Sequence, residues 1–325
     1  MALLEVRGLE VAFPKGRHDE ALALRGVDLD LDPGERLGVV GESGAGKSML
    51  AFAILNLISE PGRISAGSIR FDGSNLLTLP PGEIRNIRGN RISMIFQDPM
   101  MTLNPVLTIG RQMVETLQAH RRIGWATARE LSIERLAQVA IPTPEVRFDS
   151  YPHELSGGLR QRVVIAIALL TDPEIIIADE PTTALDVTIQ AEIMALILRL
   201  CSDNRVGLIL ITHDLGVVAE VTERLMIMYA GKVVEAGSTR QIIDHPGHPY
   251  SRGLLAALPQ RVERGQTLNQ IPGTMPGIAD LPAGCAYHPR CERAIAGCHL
   301  DIPALEAHGS RRLACFRPLL ESAGT

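Results

Sequence analysis

The run Gly41-Glu42-Ser43-Gly44-Ala45-Gly46-Lys47-Ser48 constrains this 325-residue chain more than any other stretch. It fits G-x-x-x-x-G-K-[ST], and it lies between a buried-strand pattern, Glu35 to Val40, and a helical apolar spacing, Lys47 to Ile58. Glycines let backbone N–H groups turn inward around phosphate oxygens, and the helix that follows adds its positive dipole end. Lys47 suits the β and γ phosphates and Ser48 a Mg²⁺ ion. An accidental match is expected on the order of 0.01 times in a chain of this length, so nucleotide binding follows.

A second half of such a site ends the apolar run Ile175-Ile176-Ile177-Ala178 with Asp179 and Glu180. Neighbouring residues on a strand point to opposite sides, so the two acids should have different tasks. Asp179 suits the outer shell of Mg²⁺, and Glu180 the base that orients an attacking water. Strands at Arg91 to Gln97, Gly207 to Ile211, Arg224 to Tyr229 and Lys232 to Glu235 alternate with helices at Leu159 to Leu170 and Thr188 to Leu200. The pattern is an α/β fold with a mostly parallel sheet, preceded by antiparallel strands between Leu3 and Asp32. Pro99 to about Tyr151 reads as a helical insertion, with helical periodicity over Ile109 to Val139.

Composition narrows the function classes. A net charge of −5 and 3% aromatic residues offer neither a basic field nor stacking platforms for nucleic acid. Hydrophobic residues at 46% support a substantial core. No run reaches the ~18 apolar residues of a membrane helix and Met1 to Gly8 lacks a signal core, so the chain is expected to stay in the cytoplasm. Any membrane role would then pass through partners.

The heptad Leu155-Ser156-Gly157-Gly158-Leu159-Arg160-Gln161 opens a second helix with a serine and two glycines, another anion-binding terminus. A second cradle in one chain calls for a second nucleotide. Here the chain resembles the ABC ATPases, in which this signature meets the γ-phosphate held by the other subunit. The resemblance implies a P-loop ABC ATPase fold, with the core at 1–98 and 152–246, a helical subdomain at 99–151 and a C-terminal tail at 247–325. It makes Gln97 the Q-loop, Ala184-Leu185-Asp186 the D-loop and His213 of Ile211-Thr212-His213-Asp214 the switch histidine. Phe13 would stack on adenine, with core packing as the alternative.

The same resemblance implies an ATP site of Phe13, Gly41, Ser43, Gly44, Ala45, Gly46, Lys47, Ser48, Met49, Gln97 and Asp179. Ser156, Gly157, Gly158, Gln161 and Asp186 would act in trans, and Mg²⁺ would be held through Ser48, Gln97 and Asp179. Glu180, His213 and Gln97 would serve hydrolysis. Leu159 stands where the family's signature carries Gln, so one contact is expected to be apolar.

Beyond the core, Phe96-Gln97-Asp98-Pro99, Leu103-Asn104-Pro105, His248-Pro249-Tyr250-Ser251-Arg252-Gly253-Leu254-Leu255 and Ile271-Pro272-Gly273 resemble the peptide-permease subgroup. That implies ATP-driven import of dipeptides or oligopeptides, with nickel or another small solute as alternatives. The implied partners are a second ATPase subunit, two transmembrane permease subunits and an extracytoplasmic binding protein, at the cytoplasmic face of the inner membrane and without nucleic acid. A soluble DNA-repair ATPase is the rival, but such proteins carry coiled coils or basic modules that are missing here; ribosome-acting ABC factors usually hold two cores.

Four of the five cysteines, Cys285, Cys291, Cys298 and Cys315, fall in the Pro- and Gly-rich tail, while Cys201 reads as a packing residue. Four thiolates from such a loop can close around a metal centre, and the spacing lacks the CxxC pairs of common zinc ribbons. It resembles the subgroup's [4Fe-4S] site; zinc or unligated thiols are the alternatives. From about Pro259 to Pro289 the tail reads as a linker or loop-built appendage.

Overall fold

The structure, a computed structural model, describes residues 2–16, 19–183, 185–258 and 269–319. Contacts divide the chain into two compact units, Met1–Leu31 with Arg36–Leu77 and Leu210–Thr325, and Asp32–Glu35 with Thr78–Ile209. The strands, in chain order, are β1 (Leu4–Lys15), β2 (Asp19–Leu31), β3 (Arg36–Val40), β4 (Arg63–Phe71), β5 (Ser74–Asn75) and β6 (Ile92–Ile95). They continue as β7 (Ile175–Asp179), β8 (Gly207–Thr212), β9 (Arg224–Tyr229), β10 (Lys232–Ser238), β11 (Glu306–His308) and β12 (Arg311–Leu313).

In the first unit β1 pairs antiparallel with β2 on one side and β4 on the other. Leu4 and Val6 are buried, then Leu9 and Val11, a change of phase along the strand. A register shift between Val6 and Leu9 absorbs the extra residue, keeping both pairs on the core side. The same unit lines up β3, β9, β10, β12 and β11. β3 and β9 run parallel, and four of five and five of six residues respectively are buried. Such nearly continuous apolar runs belong to strands covered on both faces.

The second unit holds the parallel pair β6 and β7 and, among the described residues, most of the helices. The periodic stretch read as Ile109 to Val139 is two helices, Ile109–His120 and Trp125–Gln138. Thr108 caps the first by accepting from Arg111 N at 3.3 Å, and Ile109, Met113, Val114 and Leu117 form its buried stripe. In the first unit, the helix expected to reach Ile58 ends at Ile54, because Asn56 turns left-handed with φ 50°.

The tail carries regular elements on either side of the stretch read as loop-built. Helix Pro249–Ala256 and strands β11 and β12 extend beyond the loop-built appendage expected, and β12 pairs with β10. Three-residue strands are too short to show periodicity. The stretch 259–268 of the expected linker lies outside the described residues.

A fully buried carboxylate anchors this docking. Glu235 on β10 accepts from Gly247 N at 2.8 Å and His248 N at 3.0 Å, and pairs with Arg311 at 3.3 Å. His248 N-caps the helix through Nδ1, accepting from Tyr250 N at 3.0 Å. Burial holds the His248 imidazole down at about 4, with the Ala314 carbonyl opposing. It is therefore neutral, as an accepting Nδ1 requires. Glu235→Ala strands two backbone donors and a buried guanidinium, and should lower unfolding free energy by about 3–5 kcal/mol in denaturant titration. A loss below about 1 kcal/mol would contradict the anchor.

Candidate nucleotide site

In the first unit the glycine loop leaves β3 and enters helix Lys47–Ile54. Gly46 occupies the N-cap with φ 101°, a conformation that a side chain would strain. Lys47 is buried at 6% exposure, and its ammonium donates to Gly41 O at 2.8 Å and Glu42 O at 3.1 Å. The cation thus lies folded over the loop it would share with phosphate. Ser43 and Gly44 are exposed, Ser48 and Met49 are half-buried, and Gly41 and Ala45 are buried. Ala45 O accepts from Gly231 N at 2.9 Å, which ties the loop to the turn after β9. In the same unit His213 is exposed just past β8, and Asp214 caps helix Leu215–Val221 by accepting from Gly216 N at 2.8 Å. Phe13 is half-buried on β1, its ring so close to Gly62 that a Cβ there would lie 2.6 Å away.

In the second unit Asp179 ends β7 and is buried at 3% exposure. Glu180 does not continue the strand. It turns into the left-handed region at φ 46°, so the backbone turn, rather than the pleat, separates the two carboxylates. Such strained φ values collect at functional sites. The Glu180 carboxylate accepts from Gln97 Nε2 at 3.3 Å and from Thr183 Oγ1 at 2.9 Å. The structure therefore brings Gln97 to Glu180, and adds Thr183, which carries no local sequence signal.

Ser156 caps helix Gly157–Leu169, accepting from Leu159 N at 3.4 Å, with Ser156 and Gly157 exposed and Gly158 half-buried. Gln161 is set apart from them, buried at 1% exposure within the same helix. Asp186 is exposed at the N-cap of helix Val187–Asn204, while Ala184 of the D-loop triplet lies outside the described residues.

Back in the first unit, Cys285, Cys291, Cys298 and Cys315 all line one small pocket. Cys285 N donates to Cys298 O at 2.9 Å, and Gly284, at φ 70°, passes so close that a Cβ would lie 2.4 Å from that oxygen. Burial, with neighbouring sulfurs adding, raises the thiols of Cys285, Cys291 and Cys315, the last to about 11. Among the described residues no three His, Cys, Asp or Glu side chains are gathered tightly enough to hold a metal ion. Cys201 is buried in helix Val187–Asn204, as a packing residue should be.

Residues 24–183 match the family described as ABC transporter, and residues 234–298 match the oligopeptide/dipeptide transporter C-terminal region. The dipeptide transport ATP-binding protein DppD of Haemophilus influenzae is 47% identical, with 99% of this chain and 97% of that protein covered. This chain belongs to the ABC transporter ATP-binding subunits. The oligopeptide transport ATP-binding protein OppD of Salmonella typhimurium is also 47% identical to this ABC subunit, over 98% of it and 95% of the relative. A dimeric ATP-binding cassette in a post-hydrolysis state with ADP and Pi superposes with a TM-score of 0.65 at 29% identity, covering 73% of this ABC subunit and 99% of that chain.

Proposed function

We propose that this chain is the ATP-hydrolysing subunit of an importer for dipeptides or oligopeptides. The reading is carried by Glu180, a carboxylate turned off its strand and held between Gln97 and Thr183. Its transport class is supported by the match over 234–298 and by relatives named for dipeptide and oligopeptide transport.

Each residue has a physical task. Backbone N–H groups from Ser43 to Ser48 and the Lys47 ammonium cradle the β and γ phosphates of ATP. Phe13, half-exposed on β1, stacks on adenine. Ser48, Gln97 and Asp179 would hold Mg²⁺, which when bound offsets phosphate charge. Glu180 orients the attacking water, and His213 contacts the γ-phosphate. Ser156, Gly157, Gly158 and Asp186 face the nucleotide of a second ATPase subunit; buried Gln161 would act by supporting that helix. Lys47 gives up its bonds to Gly41 O and Glu42 O when phosphate arrives.

Among the described residues no helix is long and apolar enough to cross a membrane. The subunit would sit peripherally at the cytoplasmic face of the inner membrane, beneath two permease subunits that receive cargo from an external binding protein. Met101 and Val106, at 86% and 75% exposure in the segment after Gln97, supply apolar contacts for those subunits. The four tail cysteines would hold a [4Fe-4S] cluster, which when bound cross-links the tail at four points. A tetrahedral zinc ion needs sulfurs about 3.8 Å apart, given Zn–S near 2.3 Å. The four cysteines line one pocket, a placement that a shared centre of either kind requires.

Glu180→Gln should retain MgATP binding while turnover in the purified complex falls at least about a hundredfold; turnover within a few-fold of native would remove Glu180 as the base. Anaerobically purified protein should be brown, with iron and acid-labile sulfide lost in Cys298→Ala. Stoichiometric zinc without sulfide would overturn the cluster.

A further inference from the structure

Glu42 is an anomaly inside a loop built for a polyanion. An unpaired carboxylate there would repel the phosphates that the neighbouring N–H groups attract. The tail answers it. Arg290 meets Glu42 in a fork-to-fork pair, Nη1 to Oε2 at 2.7 Å and Nη2 to Oε1 at 2.9 Å, with the arginine side chain 5% exposed. Its Nε donates to Pro272 O at 2.7 Å, and Nη1 reaches the Tyr229 hydroxyl at 3.4 Å. From the adjacent helix, fully buried Tyr250 accepts from the Glu42 backbone N–H at 2.8 Å. Tyr229, Tyr250 and Tyr287 pack together with ring centroids 4.7, 5.2 and 5.3 Å apart, behind the clamp.

We propose that Arg290 and Tyr250 are positioning residues for the phosphate loop: the tail neutralises the Glu42 side chain and pins its N–H, keeping the cradle shaped for triphosphate. The inference rests on the reading of Gly41 to Ser48 as the ATP cradle. It assigns a task to two tail phrases, around Tyr250 and Pro272, that the core chemistry leaves unused.

The test is MgATP affinity of the full chain, by competition with a fluorescent ATP analogue, with melting temperature measured alongside. Arg290→Ala should weaken binding about tenfold, as for loss of a charge-assisted pair. Adding Glu42→Gln to that variant should recover most of the loss, because the exposed charge is gone; a purely structural role for Arg290 would not be rescued so. Tyr250→Phe should weaken binding about threefold without a second charge change. If Arg290→Ala does not fold, Arg290→Lys replaces it, with an expected loss of about threefold. Native affinity in the arginine variant, or no recovery in the double variant, overturns the clamp. Lys47→Ala separates the two readings: native binding there would sink the cradle itself, whereas lost binding there beside native Arg290 variants would sink the clamp alone.

Discussion

Oriented backbone N–H groups and one buried ammonium, facing a polyphosphate, are the interaction on which the rest of this molecule depends. The glycine loop can turn its donors outward because Gly46 holds φ 101°, and Lys47 lies folded over the same loop on Gly41 O and Glu42 O. The flanking strand and helix keep that arrangement stiff, and a stiff array of dipoles spends little free energy on reorganising when phosphate binds. The nearly continuous apolar runs of β3 and β9 serve that stiffness.

The second unit repeats the principle with carboxylates. Asp179 stays buried at its strand end, and Glu180 leaves the strand through a left-handed turn, so two adjacent acids acquire different surroundings. One can then attend to a cation and the other to water. Hydrogen bonds from Gln97 and Thr183 hold Glu180 in that strained place. Gln97 follows β6 and begins the segment that carries Met101 and Val106, so the same short stretch is continuous from the carboxylate to exposed apolar surface.

Much of this was legible in the residues, for reasons that differ by region. Gly41 to Ser48 and Leu155 to Gln161 announce themselves because backbone geometry dictates residue type over a few consecutive positions. The apolar strands ending at Val40 and Asp179 were plain for the same local reason. The turn at Glu180 was not, since alternation assumes that the strand continues, and Asn56 likewise ended a helix that periodicity alone would have extended. The tail was hardest. Its strands are three residues long, and Arg290 finds Glu42 across 248 positions, a distance at which only the fold can make the pairing. The one available signal was chemical: a glutamate inside a phosphate cradle asks for a cation from somewhere.

In the closed transporter this loop and a serine-tipped helix of a second ATPase subunit would grip one triphosphate. In the purified transporter, Ser43→Cys in this chain and a cysteine at the signature serine of its mate report that grip. A disulfide between the two chains should form with MgATP and fade with ADP. Absence of that bond when ATP is bound, or its equal formation without nucleotide, would contradict it.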